Sequence, residues 1–299
     1  MKQLREEFLR EADRLCGRFP AQVRTKQPLV HLLTNYVTVT DCVNAVLAIG
    51  GRAICSHAPQ EAAQVSSGAD AIVCNLGGTE YYDAMEDSAQ AALAAGIPLV
   101  IDPVGCAASE FRRQKCLHLT EAYHPAAIRG NYAEIAALTD GAAEESGEGG
   151  IAEGRIPAAG TESAPRSGSA GLDSVGELTG DESVQLKSHM TAFARRYGTI
   201  LIASGAIDLC TDGTRMIEVT GGTSALKRIT GAGCLSTAVL AAYLAAQDSD
   251  ALGAASAAVR FVGLAGEYAQ RACLRDGTGA GHFHMYLMDF LSASDAAFF

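Results

Sequence analysis

The stretch RITGAGCLSTAVLAAYLAAQ, Arg228 to Gln247, sets two glycines around an alanine, then a cysteine, then an apolar run of helical length. Glycine permits close backbone approach and positive dihedrals. The first turn of a helix leaves N–H groups unpaired and carries the positive end of the helix dipole. Together these features suit an anion, either a phosphoryl group or a developing alkoxide. Thr230, Gly231, Gly233 and Cys234 all fall in this stretch. A helix start favours a cysteine thiolate. The bland alternative is a glycine turn before a buried helix, with Cys234 as packing.

Two other stretches carry charge at places where strands end. VIDPVG puts Asp102 before a proline, where a carboxylate could do chemistry or simply stabilise a turn. IRGNYAEI brings Arg129, Asn131 and Glu134 together. Asn131 with Glu134 three residues on reads as a helix capping box beside a surface arginine. It also reads as a cation and a carboxylate serving a polyphosphate and Mg²⁺. The seven histidines show no metal spacing, and His282 with His284 lacks both the i,i+4 offset and a third ligand, so zinc is not expected.

These residues need a scaffold. Leu29–Leu33, 52–55, 69–77, 97–105, 126–131 and 198–204 read as strands, and helical stretches at 3–16, 38–50, 59–66, 79–95 and 109–121 alternate with them. Residues 207–219 read as a hairpin turning at Asp212-Gly213. After Ala232 the chain is almost all helical. Continuous apolar strands between helices imply an α/β fold with a mostly parallel sheet covered on both faces. Ligands gather at the carboxyl ends of such strands. Polar and small residues follow those ends: Thr34-Asn35-Tyr36, Asn75-Leu76-Gly77-Gly78, Asp102-Pro103, Arg129-Gly130-Asn131 and Ser204-Gly205.

The chain has 299 residues, 48% of them hydrophobic, and a net charge of −11. The length and apolar content suit one large α/β domain spanning 1–299, or two smaller ones, and the strand pattern resuming after residue 182 favours the single domain. The acidic balance argues against nucleic acid as a partner. Nine cysteines, an odd number with no C-x-x-C pair, suggest buried reduced thiols in a cytoplasmic protein. No apolar stretch is suited to a membrane: 236–246 is too short and Arg260 interrupts 251–267. Residues 141–182 are rich in Gly, Glu, Ser and Ala, which reads as a mobile surface insertion, not a domain boundary.

HLLTNYVTVTDCVNAVLAIGG, IPLVIDPVGC, AAIRGNYAEIAAL, RITGAGCLSTAVLAAY and GTGAGHFHMYLMDFL, in that order from about residue 28 to 292, resemble hydroxyethylthiazole kinase of thiamine salvage. The resemblance implies a ribokinase-like fold and a homotrimer with sites between subunits. It implies transfer of the γ-phosphoryl of ATP to the primary hydroxyl of 4-methyl-5-(2-hydroxyethyl)thiazole, with Mg²⁺. By motif position, Asn35, Val37 and Cys55 would lie near the thiazole, and Thr230, Gly231 and Cys234 around its hydroxyl. Asp102 and Glu134 would serve Mg²⁺, while Arg129, Ser204 and Gly233 would contact ATP. Cys234 would accept or orient the hydroxyl proton. Three places depart from the family pattern. Cys55 stands where methionine is usual, Ser56-His57-Ala58-Pro59-Gln60-Glu61 replaces an acidic run, and Ser204 replaces a common threonine. The competing readings are a hydroxymethylpyrimidine or pyridoxal type of kinase, a non-catalytic thiazole or nucleotide sensor, and a lyase on the same fold.

Overall fold

A computed structural model describes residues 1–140 and 180–295. The expected insertion at 141–182 lies outside the described residues except for its last three. Those three begin a helix.

The strands are β1 (Leu29–Leu33), β2 (Arg52–Ile54), β3 (Ala71–Asn75), β4 (Leu99–Asp102), β5 (Ala127–Asn131), β6 (Ile200–Ser204), β7 (Asp208–Thr211) and β8 (Met216–Val219). They form one sheet in the order β2-β1-β3-β4-β5-β6-β7-β8. From β2 through β6 all neighbours are parallel; β7 and β8 add an antiparallel edge. The expected hairpin is this edge. Strand β2 is shorter than expected and ends at Ile54, which leaves Cys55 beyond it.

The helices are α1 (Lys2–Cys16), α2 (Phe19–Lys26), α3 (Val39–Ala48), α4 (Pro59–Ser67), α5 (Tyr82–Ala95), α6 (Glu110–Tyr123), α7 (Tyr132–Thr139), α8 (Gly180–Tyr197), α9 (Ala232–Ala246), α10 (Ala251–Asp276) and α11 (Ala280–Leu291). The sequence pattern misses α2, a short helix with Pro20 in its first turn. It also runs α5 back to Thr79, where the chain instead makes a 3₁₀ turn through Tyr81.

Alternation along each strand divides the core. Val30, Leu32, Val73, Val100 and Ile202 pack with α1, α3, α9, α10 and α11. Leu33, Ile72, Cys74, Ile101, Ile128 and Leu201 face α5, α6, α7 and α8. Side chains of successive strand residues point to opposite faces, so a strand covered on both sides must be apolar throughout. Helix α9 is apolar all round: every residue from Leu235 to Leu244 is buried. A helix of that kind belongs inside a protein. Its first turn emerges at the carboxyl edge of the sheet.

On the outer layer, Glu86 of α5 holds α6 through Lys115 Nζ at 2.5 Å, His118 Nε2 at 2.7 Å and Tyr123 Oη at 3.4 Å. Hydrogen bonds from Lys115 and His118 hold its carboxyl down to about 2, below its ordinary 4.5. A depressed carboxylate pKa stabilises the fold above the unfolded value and stops doing so as pH falls through the folded value. Thermal melts of Glu86→Gln should therefore lie below the parent by roughly 2–4 °C at neutral pH, as for about 1 kcal/mol from a half-exposed network. The gap should close between pH 4.5 and 2.

Candidate active site

Asn75 and Asp102 are register partners at the carboxyl ends of β3 and β4. Their exposures are 1% and 2%. Asn75 Nδ2 donates to Asp102 Oδ2 at 2.8 Å and to Cys234 Sγ at 3.0 Å. Asn75 Oδ1 accepts from Gly77 N at 2.9 Å and from Asn35 Nδ2 at 3.3 Å. Thr237, one turn beyond Cys234 on α9, donates from Oγ1 to Asp102 Oδ2 at 3.2 Å. A polar ladder thus crosses the ends of β1, β3 and β4 and meets the start of α9. Asn35 also anchors the following turn, because its Oδ1 accepts from Val37 N, Thr38 N and Thr38 Oγ1 at 3.1–3.2 Å.

Glu134 stands beside this ladder. Its Oε2 accepts from Asn131 N at 2.9 Å, and Asn131 Oδ1 accepts from Glu134 N at 2.8 Å. The capping box read from sequence is therefore present. Oε1 accepts from Gly105 N at 3.0 Å, which ties the turn after β4 to the start of α7. Burial, and then the charge of Glu134, push the Asp102 carboxyl up to about 7, and Arg129 opposes that rise. A desolvated carboxylate with a second carboxylate beside it is a fit for a cation. Among the described residues no group of three or more acidic, His or Cys side chains could hold a metal by itself. The donor set suits a hydrated Mg²⁺ that shares its ligands with phosphate oxygens.

On the other side of α9 lies the phosphate-like face. Helix α9 has no side-chain cap, and Gly231 takes a φ of 82° before it. A Cβ there would meet Thr38 Cγ2 at 2.6 Å, so both dihedral and space call for glycine. A Cβ on Gly233 would lie 2.8 Å from Arg129 Nη1. The guanidinium therefore lies against the first turn of the helix, and Arg129 is half-buried, not the surface residue of the bland reading. Arg129 Nε and Ser204 Oγ are both buried without a hydrogen-bond partner of ordinary geometry. Asp208, whose carboxyl is raised by burial and lowered by Arg129, accepts from Gly205 N at 3.0 Å. The start of α9, a cation and a serine hydroxyl converge here, as an anion site requires.

The structure brings Asn35, Asp102, Arg129, Glu134, Ser204, Gly231, Gly233 and Cys234 to one edge. Thr230 is exposed on the approach to α9. Val37 and Cys55 sit outward of the ladder; Val37 is 57% exposed, and burial raises the Cys55 thiol pKa. Next to Cys55, His57 stacks on Tyr81 with centroids 4.1 Å apart. One expectation is overturned: Cys234 does not favour its thiolate. Burial, with the charge of Asp102, raises the thiol well above its ordinary value. The helix dipole is outweighed because the sulfur is desolvated beside a carboxylate. The sequence reading assigned no role to Asn75, Thr237 or Asp208. The spacing of Thr237 from Cys234 places both on one face of α9 and could have flagged it. His284 Nε2 meets Asp41 Oδ1 at 3.0 Å.

A mostly parallel sheet thus carries carboxylates at its carboxyl edge, facing an uncapped glycine-bounded helix. The structure of a pyridoxal kinase from Staphylococcus aureus shares the fold at TM-score 0.52 and 14% identity, covering 78% of this chain and 85% of that one. The model of the hydroxyethylthiazole kinase family matches residues 21–154 and 164–296, and the chain belongs to that family. Hydroxyethylthiazole kinase from Desulforudis audaxviator is 35% identical over 275 residues, covering 90% of this chain and 87% of the relative. The enzyme of that name from Listeria monocytogenes is 36% identical over 252 residues, covering 83% and 82%. The structure of a hydroxyethylthiazole kinase protein from Pyrococcus horikoshii superposes at TM-score 0.74 with 27% identity and covers 93% of each chain.

Glu134→Gln keeps the shape of the side chain but sets an amide NH₂ against one of two backbone N–H donors. Urea unfolding should show a loss of roughly 1–3 kcal/mol, as for a buried donor left without its charged acceptor.

Proposed function

We propose that this enzyme transfers the γ-phosphoryl group of ATP to the primary hydroxyl of 4-methyl-5-(2-hydroxyethyl)thiazole, giving the phosphate ester used to build thiamine phosphate. The observation that carries this reading is the position of Cys234. It lies in the first turn of α9, against the Asn75–Asp102 pair and one residue from Gly233, where Arg129 crosses the helix start.

In this reading the α9 amides, Arg129 and Ser204 hold the nucleotide phosphates. Asp102 and Glu134 hold Mg²⁺, which when bound supplies charge neutralisation between phosphate oxygens. Asn35, Val37 and Cys55 border the thiazole, and Thr230 and Gly231 border its side chain. Cys234 receives the acceptor hydroxyl. Because its thiolate is disfavoured, the sulfur orients the hydroxyl as a hydrogen-bond partner and does not remove its proton beforehand. Phosphoryl transfer tolerates this, since its loose transition state depends mostly on alignment and charge neutralisation. Ring binding at an edge residue such as Val37 needs a second wall. Tyr36 at 76% exposure and Val37 at 57%, with Ile54 on edge strand β2, support a homotrimer whose neighbouring copies supply that wall. Nine free cysteines fit a reducing cytoplasm. No helix among the described residues is long and apolar enough to cross a membrane.

Mass spectrometry of product formed from ATP, Mg²⁺ and the thiazole alcohol tests the reaction. Cys234→Ala should lower kcat roughly ten- to a hundredfold, the scale of a reacting hydroxyl misplaced by about 1 Å, and Cys234→Ser less. Turnover of pyridoxal or hydroxymethylpyrimidine in place of the thiazole would move the assignment to those kinases. Full activity in a particle that light scattering shows to be monomeric would remove the shared site.

A further inference from the structure

We propose that Asn75 is a positioning residue for the transfer: its amide fixes the Cys234 sulfur and the Asp102 carboxylate relative to one another, and so aligns the acceptor hydroxyl with the phosphate side of the site. This rests on the reaction proposed above.

The orientation of the amide follows from its partners. Asp102 Oδ2 can only accept from it when Asp102 is ionised, and Gly77 N can only donate. Exchanging the oxygen and nitrogen of Asn75 would set acceptor against acceptor and donor against donor. Nδ2 therefore faces Asp102 at 2.8 Å and Cys234 at 3.0 Å, and Oδ1 faces Gly77 N and Asn35 Nδ2. Both donor hydrogens and both acceptor directions are used. A strand-end asparagine that served only its turn would need the bond from Gly77 N alone, as in an Asx-type turn. Here the nitrogen is spent entirely on the two groups that border the reacting atoms.

The approach is built for closeness. A Cβ on Gly77 would lie 2.8 Å from Asn75 Oδ1 and 3.2 Å from Asn35 Nδ2. The turn after β3 can fold over the amide only because residue 77 has no side chain. A cysteine side chain without a partner samples staggered χ1 positions. The N–H from Asn75 at 3.0 Å, with Asn35 Nδ2 farther off at 3.9 Å and Asp102 beside the sulfur, selects one of them. The same amide donates to Asp102 Oδ2 at 2.8 Å, as Thr237 does at 3.2 Å. Asn75 touches neither substrate in this scheme and acts through Cys234 and Asp102.

A double-mutant cycle of Asn75→Ala and Cys234→Ala, with steady-state kinetics and melting temperatures on the full-length protein, tests the assignment. Asn75→Ala should lower kcat roughly ten- to a hundredfold, the scale of a misplacement of about 1 Å. The KM for ATP should change by a smaller factor than kcat, because the α9 start, Arg129 and Ser204 assigned to the phosphates keep their places. In the Cys234→Ala background the same change should cost markedly less, since the sulfur it positions is already gone. Asn75→Ser, which keeps one donor and less empty volume, should fall between parent and alanine, and it serves in the cycle if the alanine variant does not fold. A kcat within about threefold of the parent overturns the proposal, and so do losses that simply multiply in the double variant, which is what a general loosening of the fold would give. If the parent phosphorylates a different alcohol, the thiazole assignment fails and the same cycle is read with that alcohol.

Discussion

A carboxylate withdrawn from water, within the field of a second carboxylate, is the constraint around which this edge of the sheet is arranged. Asp102 is nearly inaccessible, and Glu134 lies close enough to raise its pKa. A buried charge needs hydrogen-bond donors or a countercharge to persist. Asn75 and Thr237 supply the donors, and Arg129 supplies part of the countercharge. Those three residues come from β3, α9 and β5. Satisfying one carboxylate therefore fixes the position of the strand on one side of β4, the helix above it and the strand on its other side.

The two faces of the proposed site, one for phosphate and one for the acceptor, rest on different supports. The phosphate face is carried by α9, whose body is sealed in the core, and by β5 and β6 in the middle of the sheet. Glycines at 231 and 233 let Thr38 and Arg129 approach the helix start. The acceptor face is carried by turns after β1 and β2, where Asn35 spends its oxygen on its own turn and His57 leans on Tyr81. Cys234 sits where the two faces meet. Its raised pKa is a consequence of that position: a sulfur buried enough to be held by Asn75 is too poorly solvated to ionise easily.

The apolar runs, the strand-end polar residues and the glycine-bounded helix start were all legible in the sequence, because each is a local pattern. So was the Asn131–Glu134 box, whose three-residue spacing is its own signature. The role of Asn75 was not, since it depends on the register of β3 against β4 and on where α9 begins. The protonation preference of Cys234 was misread for the same reason. The dipole of a helix start is local and visible, whereas desolvation and the Asp102 charge arrive from elements far away in the chain. Helix α2 escaped because eight residues offer too few turns for periodicity to show.

The strand order has a mutational consequence. Strand β2 has a neighbour on one side only, while β4 and β5 are each flanked on both. A substitution at the end of an edge strand disturbs one neighbour; at the end of a central strand it disturbs two and the helix above them. Cys55 and His57 follow β2, whereas Asp102 and Arg129 belong to central strands. A change at the rim is thus absorbed by one neighbouring strand, while a change at the centre must be absorbed by two strands and a helix together.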